Sequence, residues 1–167
     1  MITPSNRQHS ALDRPTLITA DLSDLYNQDY AQWLDITVAQ LRSGQFASVD
    51  LVNLVEELES MGRSEKRALS SNLQIVLMHL LKYRYQPEKR SHSWLFTLYE
   101  HRDRLLEILE DSPSLQSYLN ETFTQSYAKA RKKAALETGL PIDTFPEAVP
   151  FALESVLDVD YLPSSDS

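Results

Sequence analysis

The chain has 167 residues, of which 42% are apolar and 24% charged, and this balance predicts one soluble globular domain with a substantial core. It contains no cysteine, which excludes disulfide scaffolds, thiol catalysis and cysteine-ligated metal sites. No apolar stretch reaches the ~20 residues that span a bilayer, and residues 1–7 open no apolar signal core, so we expect a cytoplasmic protein without a membrane partner.

The placement of glycine and proline indicates an all-α fold. Three glycines are fewer than a β or doubly wound fold needs for its turns. Each of them follows a stretch of helical apolar periodicity, which is where a left-handed residue ends a helix; they are Gly44, Gly62 and Gly139. Five prolines lie between such stretches, namely Pro87, Pro113, Pro141, Pro146 and Pro150.

The apolar spacing predicts five main helices and a short sixth. The first three span about 24–43, 51–61 and 64–84, and Asp50 is the N-cap of the second. The fourth is capped by Ser91 or Ser93 and reaches about residue 110. The fifth and sixth span about 113–138 and 152–157. The sequence leaves open whether the second and third are one kinked helix or are separated by a turn at Gly62. The second helix has an apolar stripe of Leu51, Leu54, Val55, Leu58 and Met61, and the first has one that includes Tyr26, Tyr30, Trp33, Leu34, Val38 and Leu41.

The third helix is predicted to lie at the centre of the fold. Residues 75–81 are apolar at six of seven positions, and a helix that is apolar nearly all round is covered by several neighbours. We therefore expect a single-domain helical bundle over residues 23–163 around a central apolar helix near 64–84. Outside the helices we expect a flexible N-terminal arm at 1–22 and a disordered tail at 164–167. We also expect a surface segment at 140–150 in which Phe145 is buried.

Arg102 is the polar residue that the apolar pattern makes most conspicuous. It lies within an apolar stripe of the fourth helix, with Leu98 and Leu105 one turn away on either side. A buried guanidinium cannot lose its proton, so we expect a carboxylate partner from Glu56, Glu57 or Glu59, with a slight preference for Glu59. The pair is interpreted either as a structural ion pair or as part of a polar pocket.

His79 is the polar member of the central apolar run. If the third and fourth helices form an antiparallel hairpin, His79 comes level with Glu100 and His101. Together with a glutamate of the second helix they would make weak candidates for a metal site, since the sequence carries no His pair at helical spacing. A core histidine hydrogen-bonded to a neighbour is the favoured interpretation, and no metal or cofactor is predicted. Trp33, Trp94 and Tyr127 are predicted to be aromatic packing anchors.

The order of short motifs along the chain resembles a known family. The motifs are Tyr30-x-x-Trp33-Leu34, Leu41-Arg42-Ser43-Gly44, Glu56-Glu57-Leu58-Glu59-Ser60-Met61-Gly62-Arg63-Ser64-Glu65, His79-Leu80-Leu81-Lys82-Tyr83, Gln86-Pro87, Ser93-Trp94, Asp111-Ser112-Pro113 and Glu137-Thr138-Gly139-Leu140-Pro141. Over residues 25–163 this string resembles the bacterial, largely cyanobacterial, domain of unknown function 29 family. The resemblance implies an all-helical cytoplasmic domain without a known activity, and it adds Lys82 to the positions of interest.

These observations leave three functional hypotheses, and the catalytic residues are unknown under all of them. The first is a non-enzymatic protein-interaction or regulatory module that binds another protein or itself. The second is a ligand-binding or metal-binding enzyme with a polar pocket of Glu56, Glu57, Glu59, His79, Lys82 and Arg102. The third is nucleic-acid binding through the segment 63–104, which has nine bases against four acids, although the net charge of −8 disfavours it.

Overall fold

Six α-helices form the framework of the computed structural model, which describes residues 19–164, with side chains from residue 22 onwards. Within this range there is no β-strand, so the predicted all-α class is confirmed. Residues 1–18 of the expected N-terminal arm and 165–167 of the expected tail lie outside the described residues. The helices are α1 Thr19–Gln28, α2 Tyr30–Arg42, α3 Leu51–Tyr85, α4 His92–Asp111, α5 Leu115–Thr138 and α6 Leu153–Leu157.

The predicted first helix is wrong in one respect, because it is two helices that meet at Asp29. The backbone of Asp29 is not helical (φ −146°, ψ 83°), and its carboxylate accepts a hydrogen bond from the Gln32 amide at 3.0 Å. An aspartate side chain that caps the amide three residues later starts a new helix. The apolar periodicity continues across this junction and therefore did not reveal it.

The glycines act differently from one another. Gly44 and Gly139 have φ values of 73° and 72°, the left-handed conformation that favours glycine, and each lies directly after a helix as predicted. Gly62 instead lies inside α3, which is a single helix of 35 residues. Of the two alternatives left open at Gly62, the structure shows the single helix, because a glycine in a helix interior costs only about 1 kcal/mol and does not by itself terminate the helix.

The residues divide into two compact units whose boundary falls after Glu59, within α3. In the first unit, α2 lies against the first turns of α3. Tyr30 on α2 donates to Glu57 at 2.9 Å, and the Trp33 indole donates to Asp50 at 3.3 Å. From the first contact to the second, the residue number increases from 30 to 33 on α2 and decreases from 57 to 50 on the partner segment. The two helices therefore run antiparallel.

The second unit contains the core around the predicted central helix. Ser70 contacts Tyr118 and Lys82 contacts Glu137, so the C-terminal part of α3 and α5 run parallel to each other. The buried side chains of α3 include Leu69, Leu73, Val76, Leu77, Met78, Leu80 and Leu81, and they form one cluster with residues of α4 and α5. The central position predicted for this segment is confirmed.

The C-terminal segment packs across the same unit. Phe145 is fully buried, as predicted, and its carbonyl accepts a hydrogen bond from the Arg131 guanidinium at 2.8 Å. The Tyr127 hydroxyl donates to the Pro146 carbonyl at 2.6 Å. Further along, Val156 of α6 is fully buried in the core cluster. The segment is therefore held by both apolar burial and hydrogen bonds from α5.

Candidate interaction surface and polar clusters

The six residues of the predicted polar pocket belong to different units. Glu56, Glu57 and Glu59 lie in the first unit, whereas His79, Lys82 and Arg102 lie in the second. The hydrogen-bond partners of Glu57, Lys82 and Arg102 all come from the unit that contains them. Each group is therefore described within its own unit.

Arg102 is buried as predicted, but its partners are not carboxylates. Only 1% of the residue is exposed, and its three guanidinium nitrogens donate to the main-chain carbonyls of Val156, Val159 and Tyr161 at 2.9, 3.3 and 2.9 Å. Burial lowers the pKa of this guanidinium, while the nearby Asp158 raises it. The expected charge pair with Glu56, Glu57 or Glu59 is wrong, because main-chain carbonyl oxygens accept the three hydrogen bonds of the guanidinium.

Lys82 forms an ion pair in the second unit that is buried on the lysine side. Its ammonium lies 2.6 Å from a carboxylate oxygen of Glu137 on α5 and 4.5 Å from the centre of the Trp94 ring on α4. The lysine side chain is 9% exposed and the glutamate side chain 48%. The pair is thus closed on the lysine side and open to water on the glutamate side, and it links three helices.

The two histidines of the weak metal hypothesis have protein partners. One ring nitrogen of His79 lies 3.0 Å from the Ile75 carbonyl, one turn earlier on α3, and one of His101 lies 2.6 Å from the Asn72 side-chain oxygen. Burial is the main cause that lowers the pKa of both histidines. Within residues 22–164 no group of three His, Asp or Glu side chains has the arrangement of a metal site. The favoured interpretation of His79 as a core residue bonded to a neighbour agrees with this geometry.

Glu57 is the centre of a polar and aromatic cluster in the first unit. Its two carboxylate oxygens accept hydrogen bonds from the hydroxyls of Tyr26 at 2.5 Å and Tyr30 at 2.9 Å. These bonds raise the pKa of Tyr26 to about 12 and also raise that of Tyr30. The rings of both tyrosines pack against Trp33, with centroids 5.0 and 5.8 Å away. Glu57 therefore holds α1 and α2 against α3.

Two of the three predicted aromatic anchors are fully enclosed. Trp33 is 0% and Tyr127 is 1% exposed, so neither has a face open to a ligand. Trp94 is partly exposed and lies beneath Lys82. The burial of Trp33 and Tyr127 agrees with the packing role predicted for them, and Trp94 in addition contacts the Lys82 ammonium.

The first unit exposes part of the two apolar stripes that helical periodicity predicts for α2 and α3. In α3, Leu51, Val55 and Leu58 are 58%, 52% and 58% exposed. In α2, Leu34, Val38 and Leu41 are 37%, 41% and 37% exposed. We call these six residues the α2–α3 surface. Helical periodicity identified both stripes, but it carried no information about whether another element of the chain covers them.

Both stripes lie on the same side of the helix pair. On α2, Leu34 directly follows the contact residue Trp33, and on α3, Leu58 directly follows the contact residue Glu57. Successive residues are rotated by about 100° around a helix axis. Because the helices are antiparallel, equal rotations in the same sense turn both stripes toward one side. The six side chains therefore lie on one side of the helix pair.

A small pocket lies near the turn between α3 and α4. Its volume is about 160 Å³, and it is lined by Tyr83, Arg90, Ser91, His92 and Leu95. The Arg90 guanidinium donates to the Tyr83 carbonyl at 2.9 Å and lies 4.1 Å from the centre of the Tyr83 ring. The Arg90 guanidinium is therefore already bound to Tyr83, which also lines the pocket.

No helix within residues 19–164 is long and apolar enough to cross a membrane.

Comparison with known proteins places the chain in a family. No curated protein matches the sequence, and no solved structure matches it either. The family model of the domain of unknown function DUF29 matches residues 25–162, which is nearly the whole chain. The chain therefore belongs to the DUF29 family.

Proposed function

We propose that this protein is a non-enzymatic protein-interaction module and that the α2–α3 surface binds the partner. The observation that carries the proposal is the side-by-side exposure of two apolar stripes within residues 34–58. Contiguous apolar patches on a protein surface are typical of sites that bind other proteins. The sequence-based expectation of a cytoplasmic location is part of the proposal.

The chemistry of the second unit favours this function over a catalytic pocket. Arg102 donates to three carbonyls and Lys82 is paired with Glu137, so both cations are already bound to groups of the chain. His79 is 8% exposed and bonded to its own helix. A ligand would have to displace these internal contacts before it could reach the three side chains.

Site-specific photo-crosslinking tests the proposal. A photo-reactive amino acid at Val55 probes the α2–α3 surface, and the same residue at Leu136, which is 84% exposed on α5, is the matched control. In cells of the native host we expect a discrete protein adduct at position 55 that is absent at position 136. The double variant Val55→Ser/Leu58→Ser should abolish capture from a third position, Val38, without unfolding the protein.

The same adducts at positions 55 and 136 would show non-specific contact and contradict the proposal. The absence of any adduct at positions 38 and 55 would contradict it as well.

A further inference from the structure

We infer that the partner of the α2–α3 surface is a cationic amphipathic helix of another protein. The inference rests on the proposed function and names the chemistry of the partner. Its three grounds are the shape of the surface, its length and the sign of the charges around it.

The shape of the surface fits a helix. The two stripes line two neighbouring antiparallel helices, and a third helix can lie along them with an apolar face at i, i+3, i+4 and i+7 spacing. Within residues 19–164 the fold has no sheet edge to which a strand could add. On α2 the stripe runs from Leu34 to Leu41 and on α3 from Leu51 to Leu58, each about 10 Å at 1.5 Å per residue. About two turns of a partner helix match that length.

The charge of the first unit selects a cationic partner. Residues 22–59 contain seven acids and one base, Arg42, so this stretch has a net charge of −6. Asp35 follows Leu34, which places a carboxylate about 100° beyond the α2 stripe, at its outer edge. Glu57 is already bound by two tyrosines. Lysine or arginine on a docked helix would therefore meet the Asp35 carboxylate at the α2 edge and the net negative charge of residues 22–59 around the surface.

The same charge disfavours a second copy of this chain as the occupant. An isologous dimer through the α2–α3 surface would bring two stretches of −6 together, and like charges across an interface oppose binding.

The binding of model helices to the full-length chain tests the inference. The probe is a fluorescent peptide of about 18 residues with leucine at helical spacing and lysine elsewhere. The two comparison peptides are the same pattern with glutamate in place of lysine and a scrambled leucine–lysine sequence of identical composition. Fluorescence anisotropy should show that the cationic helix binds about tenfold or more tightly than either comparison peptide at about 100 mM salt.

Two variants separate the apolar and the electrostatic contributions. Val55→Ser/Leu58→Ser should weaken binding of the cationic helix about tenfold, whereas the control Leu136→Ser should leave it unchanged. Asp35→Asn should weaken it about two- to threefold at low salt and less at high salt, since screening removes the attraction.

The outcomes distinguish this inference from the proposed function. If the glutamate peptide or the scrambled peptide binds as well as the cationic helix, the inference is overturned while the interaction surface stands. If a dimer forms in sedimentation and Val55→Ser/Leu58→Ser dissociates it, the occupant is a second copy and the inference is overturned. Intramolecular adducts from position 55 to residues 1–18 would overturn it in favour of the chain's own segment. If no peptide binds and no protein is crosslinked, both proposals fail.

Discussion

Arg102 provides the sharpest test of how the C-terminal segment is held. Its guanidinium is 1% exposed and donates to the carbonyls of Val156, Val159 and Tyr161. Arg102→Met keeps the length of the side chain and removes all three donors. We expect the variant to lose stability through the C-terminal segment, while the apolar packing of α4 changes little.

The magnitude follows from the three contacts and from the burial of the charge. A hydrogen bond to a charged group contributes about 1.5–3 kcal/mol, but burial of the guanidinium itself costs several kcal/mol and offsets part of the sum. We therefore expect Arg102→Met to lower the free energy of unfolding by about 3–5 kcal/mol. Arg102→Lys should recover only a part of this loss, because a single ammonium cannot reach acceptors spread over residues 156–161 as the planar guanidinium does.

Urea denaturation measures the loss, and hydrogen exchange locates it. Protection should fall first at the amides of residues 153–161, because their attachment to α4 depends on Arg102. A double-mutant cycle between Arg102→Met and Glu59→Gln should be additive within about 0.5 kcal/mol, since the guanidinium bonds to carbonyls. A loss below about 1 kcal/mol for Arg102→Met, or a strong coupling to Glu59, would refute this reasoning.

Four further predictions concern other buried or paired groups. Leu77→Ala should cost about 2–5 kcal/mol in urea denaturation, because Leu77 is fully buried in the core and the truncation leaves a cavity. Thr37→Val should instead raise the free energy of unfolding by about 1 kcal/mol, because the buried Thr37 hydroxyl has no hydrogen-bond partner among the described residues and valine has nearly the same shape. The pKa of His79 is lowered from 6.5 by burial, so the unfolded chain binds a proton that the native state does not. The free energy of unfolding should therefore decline as the pH falls below about 6.5, and His79→Gln should reduce that slope. The pKa of Tyr26 is raised to about 12, so its ultraviolet titration should lie above pH 10 and move back toward 10 in Glu57→Gln. Unchanged titration in that variant would contradict the bond to Glu57.

The sequence by itself determined the class of the fold and most of its core. The scarcity of glycine and the positions of proline excluded a sheet, and the apolar run at 75–81 identified the central helix. Gly139 was correctly read as a helix end, because a left-handed residue is a local requirement. The burial of Arg102 followed from its position in an apolar stripe. These features depend on the spacing of apolar residues along a helix or on the backbone conformation that a single residue favours. Both can be inferred from the sequence.

The tertiary structure decided which groups meet. The acceptors of Arg102 are main-chain carbonyls, which every residue carries, so no residue type in the sequence identified them. The pairing of Lys82 with Glu137 joins positions 55 residues apart and depends on the parallel arrangement of α3 and α5. Periodicity showed that Leu51, Val55 and Leu58 share one face, but an apolar face has the same pattern whether a neighbour covers it or not. Whether that face is exposed depends on how the helices pack against one another. A local sequence pattern does not contain this information, so the proposed interaction surface could be identified only from the structure.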